Sequence, residues 1–373
     1  MDIAIDQHAN NQLIEAYKSR DIDKFCELIE SGANVNCLNE DKKSLISIII
    51  TEDYYNDSVK FFDKLIESNV YLGQIGIEKG LLSLSAELSD SYYLNKLLKT
   101  KNININSLGV YGTERKRYGP VIYEMMRKGE KKNVDLILQN NIDLGVSNEW
   151  GTPLLNFLIT SCLKSFNSKE MKSLFKNLID QGYDVNSRSI NGMQILHCLV
   201  IYDQNNLLEY LLNMNLNIDL NSRDKIGNTA LLYAAELGCN KSAKILIEKK
   251  ANLNIINTDG ESALLVSARY DNNKIFEMLM NSSSDITIGN KDKNNVLHLM
   301  ASNYSSRDNM RKFNKYFKII LKKHPSMLYD KNINGATPLN IIEEQGNHTK
   351  YICTVYKNML KELNKEDDLS YGL

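Results

Sequence analysis

A 33-residue self-similarity runs through this sequence and restricts the fold more than any other property. The segment Asp224-Lys-Ile-Gly227-Asn-Thr229-Ala230-Leu231-Leu232-Tyr-Ala234-Ala235 returns, in weaker form, as Asp259-Gly260-Glu-Ser-Ala263-Leu264-Leu265. The residue that opens the apolar run serves as a ruler, and it falls at Pro120, Pro153, Ile195, Ala230, Ala263, Val296 and Pro338. The steps are 33, 42, 35, 33, 33 and 42 residues, so the base period is 33 and the two long steps carry nine-residue insertions, near 161–172 and 303–315. Fainter copies lie upstream at 11–36, 41–72 and 79–106. A unit this short cannot bury its apolar face alone, so neighbours must stack. A length of 373 residues would otherwise suggest two or three domains of roughly 150 residues. The period replaces that expectation with about ten stacked units.

Each position in the unit has a physical use. Gly192, Gly227, Gly260 and Gly335 supply the positive φ of a tight turn. Thr152, Thr229 and Thr337 stand where a hydroxyl can cap the first helix. Three of the four prolines, Pro120, Pro153 and Pro338, occupy the next slot, expected to be the first helical residue, where a missing N–H costs nothing. Ala234 and Ala235 allow close helix approach, and Leu178-Ile179, Leu211-Leu212, Leu246-Ile247 and Leu279-Met280 supply the apolar stripe of a second helix. The endings Gly32-Ala33-Asn34-Val35-Asn36, Gly182-Tyr-Asp184-Val185-Asn186 and Ala251-Asn252-Leu253-Asn254 complete the pattern. This resembles the ankyrin repeat over nearly the whole chain. The resemblance implies an all-α ankyrin-repeat solenoid of about ten helix-turn-helix units with hairpin loops. We expect irregular N-terminal repeats over 1–110, repeats with the two insertions over 111–350, and a capping helix with a frayed tail over 351–373. Lys293 stands where glycine is usual, and the units before residue 110 lack the Thr-Pro-Leu start.

Composition narrows the function classes. The chain is 43% hydrophobic and 24% charged with net charge −1, neither disordered nor membrane-embedded, and without the basic excess of a nucleic-acid binder. The run Glu114-Arg115-Lys116-Arg117 and the basic second insertion read as a solvated loop tip and a packed helix. The longest apolar runs are too short to span a bilayer. Six scattered cysteines form no C-x-x-C pair and match no zinc site; free thiols suit a reducing compartment. The N-terminus shows no secretory leader, so a cytoplasmic location is expected, in the producing cell or in a host cell. The 46 asparagines, with abundant lysine, isoleucine and tyrosine, suggest an AT-rich genome.

No phosphate loop, nucleophile elbow or H-E-x-x-H is present. His197 and His298 follow leucine at the same motif slot, and each is read as a hydrogen bond between neighbouring loops rather than a base or ligand. No catalytic residue, metal site or cofactor is therefore expected. The expected partner is another protein, met by a monomer without nucleic acid or membrane insertion. The resemblance implies binding by the concave side, made of hairpin tips and first helices. Motif positions place Arg115, Tyr118, Met126, Trp150, Ile190, Met193, Tyr202, Ile226, Leu237, Arg269 and Tyr270 there. Many are apolar where the architecture predicts exposure, as at interaction sites. Ankyrin proteins of this composition without an attached enzyme domain resemble those of intracellular bacteria and large DNA viruses, which implies a host-directed effector. Poxviral members add a C-terminal F-box-like segment, for which little chain follows the last unit, so a ligase adaptor is not expected. The alternatives are an endogenous cytosolic scaffold, and a transferase activity housed in an insertion.

Overall fold

The computed structural model describes residues 7–52, 57–72, 80–86, 88, 91–100, 103, 105–106, 108–111, 117–140, 142–148, 150–302 and 307–344. The chain forms two compact units, Met1–Asp184 and Val185–Leu373.

The first unit contains α1 (Gln7–Lys18), α2 (Ile22–Glu30), α3 (Leu45–Thr51), α4 (Ser58–Glu67), α5 (Leu81–Ala86), α6 (Tyr92–Lys99), the antiparallel strands β1 (Leu108–Tyr111) and β2 (Arg117–Pro120), α7 (Val121–Lys128), α8 (Lys131–Leu138), α9 (Leu154–Ser161) and α10 (Ser168–Asp180). The second contains α11 (Ile195–Ile201), α12 (Asn205–Asn213), α13 (Ala230–Leu237), α14 (Asn240–Glu248), α15 (Ala263–Arg269), α16 (Asn273–Met280), α17 (Val296–Ser302), α18 (Arg307–Lys323), a 3₁₀ turn (Pro325–Leu328) and α19 (Pro338–Glu344). Among the described residues these make nine helix pairs and a tenth first helix. Among the described residues the fold is an all-α stack of helix pairs, interrupted by one short hairpin, β1–β2.

Packing follows the period. In the second unit α11, α13, α15, α17 and α19 lie side by side, and α12, α14 and α16 form the adjoining row. In the first unit α3, α5, α7 and α9 make one row and α2, α4, α6, α8 and α10 the other, with α4 meeting α6 through Phe62 against Tyr93 and Asp63 accepting from the Tyr92 hydroxyl. The first helices are buried almost all round: in α15 every residue from Ala263 to Ala268 is buried, as is every residue from Ile195 to Val200 in α11. The second helices bury one stripe, such as Ser242, Ala243 and Leu246 in α14. The weak upstream repeats compensate with aromatics; Phe61 meets Tyr17 and Phe25 edge-on at 5.3 and 4.9 Å, and Phe62 meets Tyr93 at 4.8 Å.

The helix starts match the motif at Thr229 and Thr337, whereas Thr152, expected as a cap, lies one residue before the cap position of α9. Thr229 and Thr337 cap α13 and α19 by accepting from Leu232 N and Asn340 N at 3.3 and 3.2 Å, and Ser44 and Ser262 do the same where threonine is missing. Pro338 opens α19. Pro120 and Pro153, expected inside their helices, instead hold the cap position one residue earlier. The β2 strand runs directly into Pro120, and the turn before Pro153 is one residue shorter than its counterparts. Both arrangements bring extended backbone to the proline. The first insertion forms a turn at Cys162–Phe166 and lengthens α10, which a capping box at Asn167 and Glu170 starts. The second lengthens α18 to 17 residues. The expected capping helix over 351–373 lies outside the described residues.

Candidate functional site

The hairpin tips are built by side chains of the Asn/Asp type. Asp224 Oδ1 accepts from Ile226 N and Asn228 N at 3.0 and 2.8 Å. Asn257 accepts likewise from Asp259 N and Glu261 N, and Asn332 from Asn334 N and Ala336 N. Such a side chain imitates a turn's own carbonyl. Gly192, Gly227, Gly260 and Gly335 then turn back at φ between 75° and 78°. Lys293 adopts the same conformation, φ 58°, without being glycine, with Asn290 Oδ1 closing its loop onto Asn294 N at 2.8 Å.

Consecutive tips are joined by backbone. Lys225 N donates to Asn191 O, Thr258 N to Ile226 O, Lys291 N to Asp259 O and Ile333 N to Asp292 O, all at 2.9 to 3.0 Å. Asn257 and Asn332 add amide bonds to Asn228 and Asn294 of the preceding repeat. At the loops that end each repeat a second ladder runs. Asn186 Oδ1 accepts from Asp219 N, Asn221 from Asn252 N and Asn254 from Asp285 N, at 2.8 to 3.1 Å. Asn36 and Asn106 make the matching bonds to Tyr71 N and Asp143 N in the first unit. The asparagine content is therefore also structural, a role its frequency alone did not reveal. Its signal was present in the spacing, because Asn186, Asn221 and Asn254 recur near the repeat period.

His197 and His298 bridge adjacent turns as expected. Gln194 N donates to His197 Nδ1 at 3.1 Å, and Nε2 lies 3.1 Å from Asn228 O. Asn295 N donates to His298 Nδ1 at 3.2 Å, and Nε2 lies 3.1 Å from Ala336 O. Burial pushes both imidazoles below their ordinary value of 6.5. The folded state keeps them neutral while the unfolded chain protonates them near 6.5, so their contribution is complete above that pH. It is lost as pH falls below 6.5 toward the lowered folded values. The urea midpoint should therefore drop between about pH 7 and pH 5. A His197→Gln/His298→Gln variant, though less stable throughout, should show a shallower slope over that interval. Equal slopes in parallel titrations would refute the assignment.

The exposed surface differs from the motif expectation at named positions. Ile190, Tyr202, Ile226, Leu237 and Tyr270 are exposed by 62, 41, 54, 51 and 51%. Tyr202, Leu237 and Tyr270 follow at the C-terminal ends of α11, α13 and α15, each seven residues after the ruler position. Ile333, 59% exposed at the last described tip, is equivalent to Ile190 and is a position the motif reading missed. Met193 is half-buried. Arg269 is exposed, but its guanidinium forks onto the buried Glu261 carboxylate, with Nε at 2.9 Å from Oε1. Trp150, 46% exposed, belongs to the first unit, as does Met126.

Met126 corrects the expectation: it is fully buried. The first insertion folds onto the end of α7, where Ser165 Oγ donates to Arg127 O at 2.9 Å. A Cβ at Gly129 would stand 2.7 Å from Ser165 O. Arg115 lies outside the described residues, and Tyr118 lies in β2 with its side chain outside them.

The buried thiols of Cys162 and Cys198 are both pushed up to about 12 by burial, and thiols held protonated at neutral pH are poor nucleophiles. Among the described residues no helix is long and apolar enough to cross a membrane, and no three His, Cys, Asp or Glu side chains gather as a metal site.

A family model described as ankyrin repeats (3 copies) matches residues 162–257. Over 180 residues the chain is 24% identical to an ankyrin repeat protein of fowlpox virus (strain NVSL), a match covering 48% of this chain and 37% of the viral protein. The chain thus spans little more than a third of that relative's length. Among solved structures, the ankyrin repeat domain of Bcl-3, a member of the IkappaB protein family, aligns with TM-score 0.48 and 18% identity, over 59% of this chain and 92% of that one.

Proposed function

Since the chain is built of ankyrin repeats, which indicate a protein–protein interaction scaffold, we propose that it binds another protein through the side formed by hairpin tips and first helices, without catalysis. The observation that carries this is the exposure of large apolar side chains on successive repeats, Ile190 and Ile226 at adjacent positions of neighbouring tips and Tyr202, Leu237 and Tyr270 at one equivalent position of the helix ends. Structural demand does not account for them, because the corresponding cores are filled by Leu196, Leu231 and Leu264. Trp150 offers a further apolar contact in the first unit. Rows of exposed Tyr, Trp and Ile mark surfaces that gain by being covered.

The target is a host protein met in the cytoplasm of an infected cell. Two things support this: the AT-rich composition, and the similarity to a fowlpox virus ankyrin repeat protein. The test is affinity capture from host-cell extract with the full chain and with an Ile190→Ser/Tyr202→Ser/Ile226→Ser variant. Proteins identified by mass spectrometry with the wild type should fall about tenfold or more with the variant, since exposed apolar anchors dominate binding energy. The circular dichroism melt should be unchanged, because all three side chains face solvent. Identical capture by the folded variant would refute the surface.

A further inference from the structure

The row Tyr202–Leu237–Tyr270 says more about its occupant than that it is a protein. Resting on the interaction reading above, we propose that this row of the second unit receives a basic amphipathic α-helix of the partner, laid across α11, α13 and α15. Three observations lead there.

The first is spacing. The three side chains occupy one motif position in three consecutive first helices, which pack side by side. Packed helices lie about 8–10 Å apart. In an α-helix, residues seven apart are separated by roughly 10.5 Å along the axis and share a face. One apolar residue per heptad therefore meets one anchor per repeat.

The second is the chemistry of the floor. Helix ends form it, and the carbonyls left over there at Tyr202, Asp203, Ala235, Glu236 and Asp271 are already taken by the side-chain amides of Gln204, Asn205, Asn272 and Asn273. An extended peptide would bury its own N–H and C=O groups without partners, which is costly. A helix brings its backbone bonds satisfied.

The third is charge. Asp203 follows Tyr202, Glu236 precedes Leu237 and Asp271 follows Tyr270. The cation on the row, Arg269, is already forked onto Glu261. Asp203 and Asp271 sit at φ 51° and 55°, the place that Gly238 takes after α13 at φ 72°. Aspartate is among the few residues that tolerate this conformation, and the chain places a carboxylate there twice, on either side of the repeat that carries Gly238. Aspartate oxygens there accept locally from the Asn205 and Asn273 side-chain amides. The neighbouring tips carry mixed charge, with Lys225, Lys291 and Lys293 against Asp259 and Asp292, whereas the helix ends set Asp203, Glu236 and Asp271 beside the apolar row against one cation, Arg269, that is already paired.

The probe is a displayed library of helical peptides about 21 residues long, enough to cross three repeats, selected against the full chain. Winners should share apolar residues at i, i+7 and i+14 flanked by Lys or Arg. A synthesised winner, titrated by fluorescence anisotropy, should lose about tenfold or more in affinity on Tyr202→Ala/Leu237→Ala/Tyr270→Ala. It should lose a similar factor on Asp203→Asn/Asp271→Asn, with most of that loss vanishing at high salt. Asparagine tolerates the left-handed conformation, so the second variant keeps the test available if the first is unstable. Acidic or proline-rich winners, or equal affinity in either folded variant, overturn the basic helix while the extract capture still judges the wider interaction reading. A library that yields no winner overturns the helix as well; loss of the reading itself would show as identical capture by the Ile190/Tyr202/Ile226 variant.

Discussion

Arg269→Leu should cost about 3 kcal/mol of stability, measured as the fall in urea unfolding free energy. Glu261 is buried, with its side chain 6% exposed. It is held by the Arg269 guanidinium through Nε and Nη2 and by Asn290 Nδ2 at 3.1 Å. Removing the guanidinium leaves a desolvated carboxylate with one neutral amide donor. Breaking a buried pair from one side costs about 3–5 kcal/mol; the Arg269 side chain is 40% exposed, so water reaches the site and the lower end applies. The sharper prediction concerns the double variant Glu261→Leu/Arg269→Leu. With no stranded charge, it should recover most of the loss and be more stable than Arg269→Leu alone. A double variant as weak as the single one would show that the pair itself, rather than the abandoned carboxylate, carries the energy.

The second large effect is expected at Gly227. Its φ is +78°, and a Cβ would stand 3.0 Å from both Asn257 Cα and Thr258 N. Those atoms cannot retreat freely, because Thr258 N donates to Ile226 O at 2.9 Å in the tip ladder. A left-handed alanine costs roughly 1–2 kcal/mol, and the backbone collision should take Gly227→Ala to about 3 kcal/mol, within the range of diagnostic single substitutions. Gly335 supplies the control: its φ is +75°, yet nothing lies within 4 Å of its Cβ position. Gly335→Ala should then show the conformational cost alone, about 1–2 kcal/mol. Parallel thermal and urea melts of the two variants separate turn strain from the approach of the next repeat. Equal losses would mean that the tips are not in firm contact.

Much of this architecture is legible in the sequence because the repeat couples local chemistry to packing at each position. The period located the first helices, and the recurring Leu-His slot identified His197 and His298 as bridges between turns. What the motif could not show is what an insertion does to a neighbouring unit. Met126 occupies a position that elsewhere faces outward, but the loop at 162–167 closes over that end of α7, and nothing in residues 121–128 signals this. Arg269 misled in another way: an exposed arginine looks available until Glu261, eight residues earlier, is seen to be buried beneath it. Ile333 was missed although its tip has the same spacing as the others. The asparagines were read as a trace of genome composition because single-residue counts do not show hydrogen-bond direction.

That direction has a consequence for how such a chain can change. In the ladder at the repeat ends, the acceptor is an asparagine side chain, while the donor on the next repeat is a backbone N–H. The joint therefore asks nothing of the incoming repeat's side chain at that position, and it involves no charge that must be matched. A repeat carrying the asparagine can be followed by almost any other, so duplication, loss or exchange of units leaves the coupling intact. Surface residues such as Tyr202, Leu237 and Tyr270 are then free to vary with each copy, and the lineage can redraw its recognition surface without rebuilding the joints between repeats.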